Sequence, residues 1–107
     1  MADAAHGKRS ELPDDALPVT RQRLDKWLWH ARVVKTRSNA QALVTAGRVR
    51  INGARQSAPG HAVKAGDVLT VSLDGGVRLL KITAFAARRG DAAAARLLYA
   101  ELQGGPE

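Results

Sequence analysis

The sequence predicts an α+β domain, with two short helices packed on a small, mostly antiparallel twisted sheet and a further helix at the C-terminus. Three observations carry this. Apolar residues recur at helical spacing over 24–34 and again, more narrowly, over 40–44. Beyond Gly47 the pattern changes to alternating runs, separated by Asn52-Gly53, Ala65-Gly66-Asp67 and Asp74-Gly75-Gly76, as strands joined by turns require. Last, Asp91 precedes the alanine run Ala92–Ala95, a capping residue ahead of the best helix former.

Size and composition set the frame. With 107 residues, 45% of them hydrophobic, the chain suits one modest domain. Residues 1–20 mix two prolines with scattered charge and lack apolar periodicity, so a flexible tail is expected there. The folded domain is expected over 21–103, its core motif over about 21–73, with 104–107 a short tail. The sequence has no cysteine, which excludes disulfides, thiol catalysis and cysteine-ligated zinc. No apolar run reaches the ~20 residues of a membrane span, and the N-terminus lacks the apolar segment of a secretory signal. A cytoplasmic protein without membrane contact is expected.

The first helix is expected from Leu24 to Val34. Leu24, Trp27, Leu28, Ala31 and Val34 stack on one face, and Asp25 in the first turn suits the helix dipole. Lys26, His30 and Val33 then project opposite the core stripe, while Asp25, Trp29 and Arg32 share a flank. Thr36 or Ser38 caps the second helix, whose stripe is Ala40, Leu43 and Val44, and Gly47 ends it in a left-handed conformation. Val49 and Ile51 enter a type I′ turn at Asn52-Gly53, and 54–56 return. After a loop over 57–62 come strands over 68–73 and 77–85. The final helix is expected over 92–102.

Charge is the functional signal. Residues 21–55 hold nine Lys or Arg against one acid, Asp25, although the whole chain carries only +7. A single-sign patch on one helical unit is the footprint of a polyanion binder, with RNA the expected polyanion. Phosphates repeat along a backbone, so cations spread over a surface are what binding needs. Lys35, Arg37 and Arg48 fall at the turn and the helix–strand junction; Arg23, Lys26 and Arg32 extend the patch along the first helix. Thr36 and Ser38 add hydroxyls beside the first amides of the second helix, where the dipole favours phosphate. Gln41 is placed to hydrogen-bond a sugar or base. Asn52 is first a turn residue and second an RNA contact. Trp29, about 140° from Leu24 on the helical wheel, either packs against the last strand or C-terminal helix or stacks on an exposed base. Asp25 is expected to orient Arg32 or to pair with Arg23.

These residues resemble the small RNA-binding domain named after the small-subunit ribosomal protein S-four, with its α-L motif. The resemblance rests on Arg23-Leu24-Asp25 with Leu28, Lys35-Thr36-Arg37-Ser38, Ala40, Leu43, Gly47, Val49-x-Ile51-Asn52-Gly53 and Val63-Lys64-x-Gly66-Asp67. Within that superfamily, Lys26-Trp27-Leu28-Trp29 and Leu97-Leu98-Tyr99 resemble the bacterial fifteen-kilodalton heat-shock protein family. That resemblance implies binding to the large ribosomal subunit, with or without peptidyl-transfer RNA, in ribosome rescue under stress. Family members usually carry a basic extension after the final helix, where this sequence has Gly104-Gly105-Pro106-Glu107.

No catalytic residue, metal or cofactor is expected. His6, His30 and His61 are scattered, no Gly-rich loop follows a strand, and no serine has a base nearby. A monomer is expected, with weak DNA binding beside RNA. A DNA-binding helix-turn-helix regulator is the main rival, but the turn over 35–37 is long and the second helix lacks an outward row of base-reading side chains. An RNA-binding accessory module of an RNA-modifying assembly is another. A third is an adaptor using Leu97, Leu98 and Leu102.

Overall fold

A computed structural model describes residues 20–102; apart from Thr20, both expected tails fall outside that range. β1 (Arg21–Arg23) runs directly into α1 (Leu24–His30), followed by α2 (Arg37–Thr45), β2 (Val49–Ile51) and β3 (Ala54–Arg55). Then come β4 (Ala62–Lys64), β5 (Val68–Leu73), β6 (Gly76–Ile82), α3 (Ala92–Arg96) and β7 (Tyr99–Leu102). Five strands form one antiparallel sheet in the order β3-β2-β5-β6-β7, and β1 pairs with β4 in a separate two-stranded sheet. The α+β class expected from the sequence is what the chain adopts.

Both N-terminal helices end in the same way. At the end of α2, Gly47 N–H donates to Val44 O (2.9 Å) and Arg48 N–H to Leu43 O (3.2 Å), with Gly47 at φ +81°. That is a Schellman motif, and glycine at its left-handed position is what the sequence led us to expect. At the end of α1, Arg32 N–H donates to Trp29 O and Val33 N–H to Leu28 O, both at 3.0 Å, with Arg32 at φ +60°. The motif is identical, but a side-chain-bearing residue occupies the left-handed position. α1 therefore stops at His30 rather than Val34, and the turn begins earlier than the apolar spacing implied.

The helices bury one stripe each against the sheet. Leu24, Trp27, Leu28 and Ala31 of α1 join Ala40 and Val44 of α2, with Val49, Val63, Leu69, Val71, Leu80, Ile82 and Leu98 completing the core. His30 departs from expectation: it is buried, not opposite the core stripe. Residues 84–90 cross α1 on that side and cover it.

The Asn52-Gly53 turn has the expected geometry, with φ of 52° and 88°. Asn52 also ties the turn to the next strand: Nδ2 donates to Asp67 (3.2 Å), and Oδ1 accepts from Val68 N–H (3.0 Å). Asp67 further accepts from the Lys64 backbone and ammonium. Burial pushes its carboxyl up, but the hydrogen bonds from Lys64 and Asn52 outweigh this and hold it below the usual carboxylate value.

Two further elements differ from expectation. The C-terminal helix is capped by Asp91, whose Oδ1 accepts from Ala94 N–H (2.9 Å), but it ends at Arg96. Residues 99–102 instead form β7, pairing Ile82↔Tyr99 through Leu79↔Leu102. Here tertiary pairing overrides local propensity: β7 covers an otherwise open edge of β6, Leu98 enters the core, and Tyr99 packs edge-on against Trp27 at 6.4 Å. Of the three leucines expected on one helical stripe, Leu98 is buried and Leu97 is 74% exposed. Strand β6 likewise ends at Ile82 instead of 85, where Leu98 O accepts from both Thr83 and Ala84 N–H.

Candidate nucleic-acid interface

Asp25 is the centre of the basic surface. Its side chain is fully buried and accepts from Arg23 Nε and Nη2 (both 3.0 Å), Lys26 N–H (2.7 Å) and Gln41 Nε2 (3.0 Å). Arg37 Nε approaches the same carboxylate at 3.7 Å. Burial would raise this carboxyl, but the bonds from Arg23 and Gln41 and the charges of Arg37 and Arg23 hold it low. The acid thus gathers two arginines from β1 and α2 onto one spot. Of the two partners expected for Asp25, Arg23 is correct and Arg32 is not: Arg32 Nε donates to Gly90 O at 2.9 Å.

The two helix N-termini differ in what remains open. At α1, Leu24 and Asp25 N–H donate to His61 O and Pro59 O, and Lys26 N–H to the Asp25 side chain. That end is closed by the protein itself. At α2, Thr36 Oγ1 accepts from Asn39 N–H (3.0 Å), confirming Thr36 rather than Ser38 as the cap. Lys35, Thr36 and Ser38 are exposed around it, with Arg37 half-buried.

The ten candidate residues therefore do not form one cluster. Arg23, Arg37 and Gln41 meet at Asp25, and Lys26 is half-buried next to it. Arg48 lies elsewhere, lining an open depression of about 320 Å³ with Val34, Asn39, Leu43, Ser72 and Asp74. Asn52 is exposed, but its amide bonds Asp67 and Val68, so the role the structure gives it is in the turn.

Sequence reasoning overlooked the segment 84–90. Its carbonyls accept from β1, α1 and the turn after α1: Ala86 O from Gln22 Nε2 (2.9 Å), Ala84 O from Trp27 Nε1 (3.2 Å), and Gly90 O from Arg32. His30 Nδ1 lies 3.1 Å from Ala86 O, the tautomer with hydrogen on Nδ1 being the one a carbonyl acceptor selects. Burial lowers the His30 pKa most; the Ala86 bond opposes this, and the charges of Lys26, Arg37 and Arg89 lower it further. Trp29 is half-buried and lies under Arg89. The signal available in the sequence was the pair Arg88-Arg89 itself.

A two-helix unit with a cationic turn, followed by a β-hairpin, defines an RNA-binding module of the S4 type, and the S4 domain profile matches residues 22–69. RNA is accordingly the class of ligand. The chain is 41% identical over 92 residues to the heat shock protein 15 homolog of Aeromonas salmonicida, covering 86% of this chain and 69% of that protein. With heat shock protein 15 of Escherichia coli K12 it shares 39% over 84 residues, 78% of this chain and 62% of that one. A structure described as trimeric, heat shock protein 15 of Vibrio cholerae, superposes with a TM-score of 0.73 at 37% identity, covering 78% of this chain and 83% of the other. The chain belongs to the heat shock protein 15 family. It spans roughly two thirds of the length of these curated relatives.

Among the described residues no group of acidic or histidine side chains could hold a metal ion, and no helix is long and apolar enough to cross a membrane.

Proposed function

We propose that residues 21–103 act as one non-catalytic unit that binds structured RNA, with large-subunit ribosomal RNA as its target, in rescue of stalled ribosomes under stress. The observation that carries the reading is the buried Asp25, which holds Arg23 and Arg37 together from two separate elements. Such a fixed pair suits adjacent phosphates of a folded RNA backbone, where shape and 2′-hydroxyls matter more than sequence. Lys26, Arg32, Lys35, Thr36, Ser38, Gln41 and Arg48 extend the contact. The basic surface and membership of the heat shock protein 15 family support the ribosomal target.

The test is titration against free large ribosomal subunits, a structured RNA of transfer-RNA size and a matched DNA duplex, at two salt concentrations, with Arg37→Glu alongside. Engagement of about five to seven phosphates gives, with the single-strand coefficient, a slope of log affinity on log salt of about −3.5 to −5. Strong binding to subunits, lost in the variant, is expected. Equal affinity for the DNA duplex would favour a DNA regulator. Sedimentation of the free and bound protein tells a monomer from the trimer described for the V. cholerae relative.

A further inference from the structure

Among the described residues two arginines lie over aromatic rings, and they are treated differently. Arg78 sits 5.6 Å from the Tyr99 ring centroid and is neutralised by a bidentate pair with Glu101, at 2.7 and 2.8 Å. Arg89 sits 5.7 Å from the Trp29 ring centroid and has no carboxylate partner among the described residues. Its hydrogen bond is from Nε to Trp29 O (2.9 Å), which fixes the guanidinium against the indole. No protein acceptor among the described residues takes its terminal nitrogens. The neighbouring Arg32–Gly90 bond fastens the same loop to α1 a second time.

Arg78 thus has its charge matched within the sheet, and Arg89 does not among the described residues. Arg89 carries its charge near the His30 ring, as Lys26 and Arg37 do. Trp29 beneath it is half-buried, with the His30 ring 5.3 Å away and tilted by 43°. The result is a held, cationic surface that joins Trp29 of the S4-matched region to Arg89, which lies outside residues 22–69.

We propose that Trp29 and Arg89 receive an unpaired nucleotide of the bound RNA, its base stacking on the guanidinium–indole pair and its phosphate held by the terminal nitrogens of Arg89. Guanidinium planes and indoles both accept splayed bases, and stacking tolerates any base because each has a π-face. The inference rests on RNA being the ligand of the interface. His30 supports the placement: Lys26, Arg37 and Arg89 all act on its ring.

The experiment uses the full chain and two RNAs with equal phosphate counts. One is a blunt duplex; the other is a hairpin whose loop carries 2-aminopurine, a base whose fluorescence reports stacking. Wild-type protein should prefer the hairpin and change the reporter's fluorescence. Arg89→Gln should lose about tenfold on the hairpin and at most about threefold on the duplex. Arg89→Lys keeps the charge without the plane, and should restore the duplex but not the hairpin. Trp29→Leu should behave as Arg89→Gln does; if it fails to fold, the two Arg89 variants still decide. Equal losses on both RNAs, full rescue by lysine, or an unchanged reporter would overturn the nucleotide site while leaving RNA binding intact. If the wild type binds neither RNA, the functional reading fails first, and this inference with it.

Discussion

Arg37 Nε lies 3.7 Å from the same oxygen of Asp25 that Gln41, one helical turn further along α2, bonds at 3.0 Å. The buried acid is thus a strut for the basic surface and not a stray negative charge on it. Asp25→Asn raises the net charge by one, so counting charges predicts tighter RNA binding. The geometry predicts the reverse: a loss of about three- to tenfold, with stability lower by about 1–3 kcal/mol. Paired RNA titrations and urea unfolding check it, and a gain in affinity would mean that the arginines need no strut.

Asn52 serves the fold. Asn52→Ala breaks the link to Asp67 and Val68 and puts a less tolerant residue at φ 52°, so stability should fall by about 1–3 kcal/mol. RNA affinity of the folded fraction should stay within about twofold. A large loss of affinity with unchanged stability would return Asn52 to the interface.

Gly47 at φ +81° is a second backbone requirement, and an added Cβ would meet the Arg55 side chain at 3.4 Å. Gly47→Ala should cost about 1–2 kcal/mol in urea unfolding. At the equivalent point after α1, Arg32→Gly should cost less, because relief of the left-handed backbone offsets the lost bond to Gly90. The same change should lower RNA affinity by removing a cation.

Stability should also depend on pH through His30. Its folded pKa is below the ordinary value, chiefly through burial, so below about pH 6.5 the unfolded chain takes up a proton that the folded ring refuses. The contribution is therefore present above that pH and is lost as pH falls toward the folded value. Urea midpoints at pH 7.5 and 5.5 should show the drop. His30→Gln, which can still donate to Ala86 O, should remove most of it.

What was legible in the sequence was local chemistry. The Thr36 cap, Gly47 and the Asn52-Gly53 turn are each decided within a few residues, and each stands as expected. The end of α1 was hidden because Ala31, Arg32, Val33 and Val34 continue a helical pattern with no glycine to interrupt it. β7 was hidden because the alanine run favours helix locally, whereas the edge of β6 lies some twenty residues away in the chain. Within the interface, the basic residues were visible but their division was not. Arg23, Arg37 and Gln41 converge on Asp25, while Arg48 faces a different depression, and that separation follows from how α2 packs. Nothing local marked the path of 84–90 across α1.

That crossing has a consequence for how the protein is made. Synthesis delivers β1 and α1 first, yet the acceptors for Gln22, Trp27 and His30 stand 64, 57 and 56 residues further along. Until they arrive, burying these donors as in the complete fold would leave each without a partner, at roughly 1–3 kcal/mol apiece. A chain interrupted between 69 and 84 would hold every cation the sequence singles out, on a surface not yet set. Fragments ending in that interval should show poor hydrogen-exchange protection in α1 and little affinity for RNA. Translation must pass residue 90 before the first thirty residues of the domain can do their work.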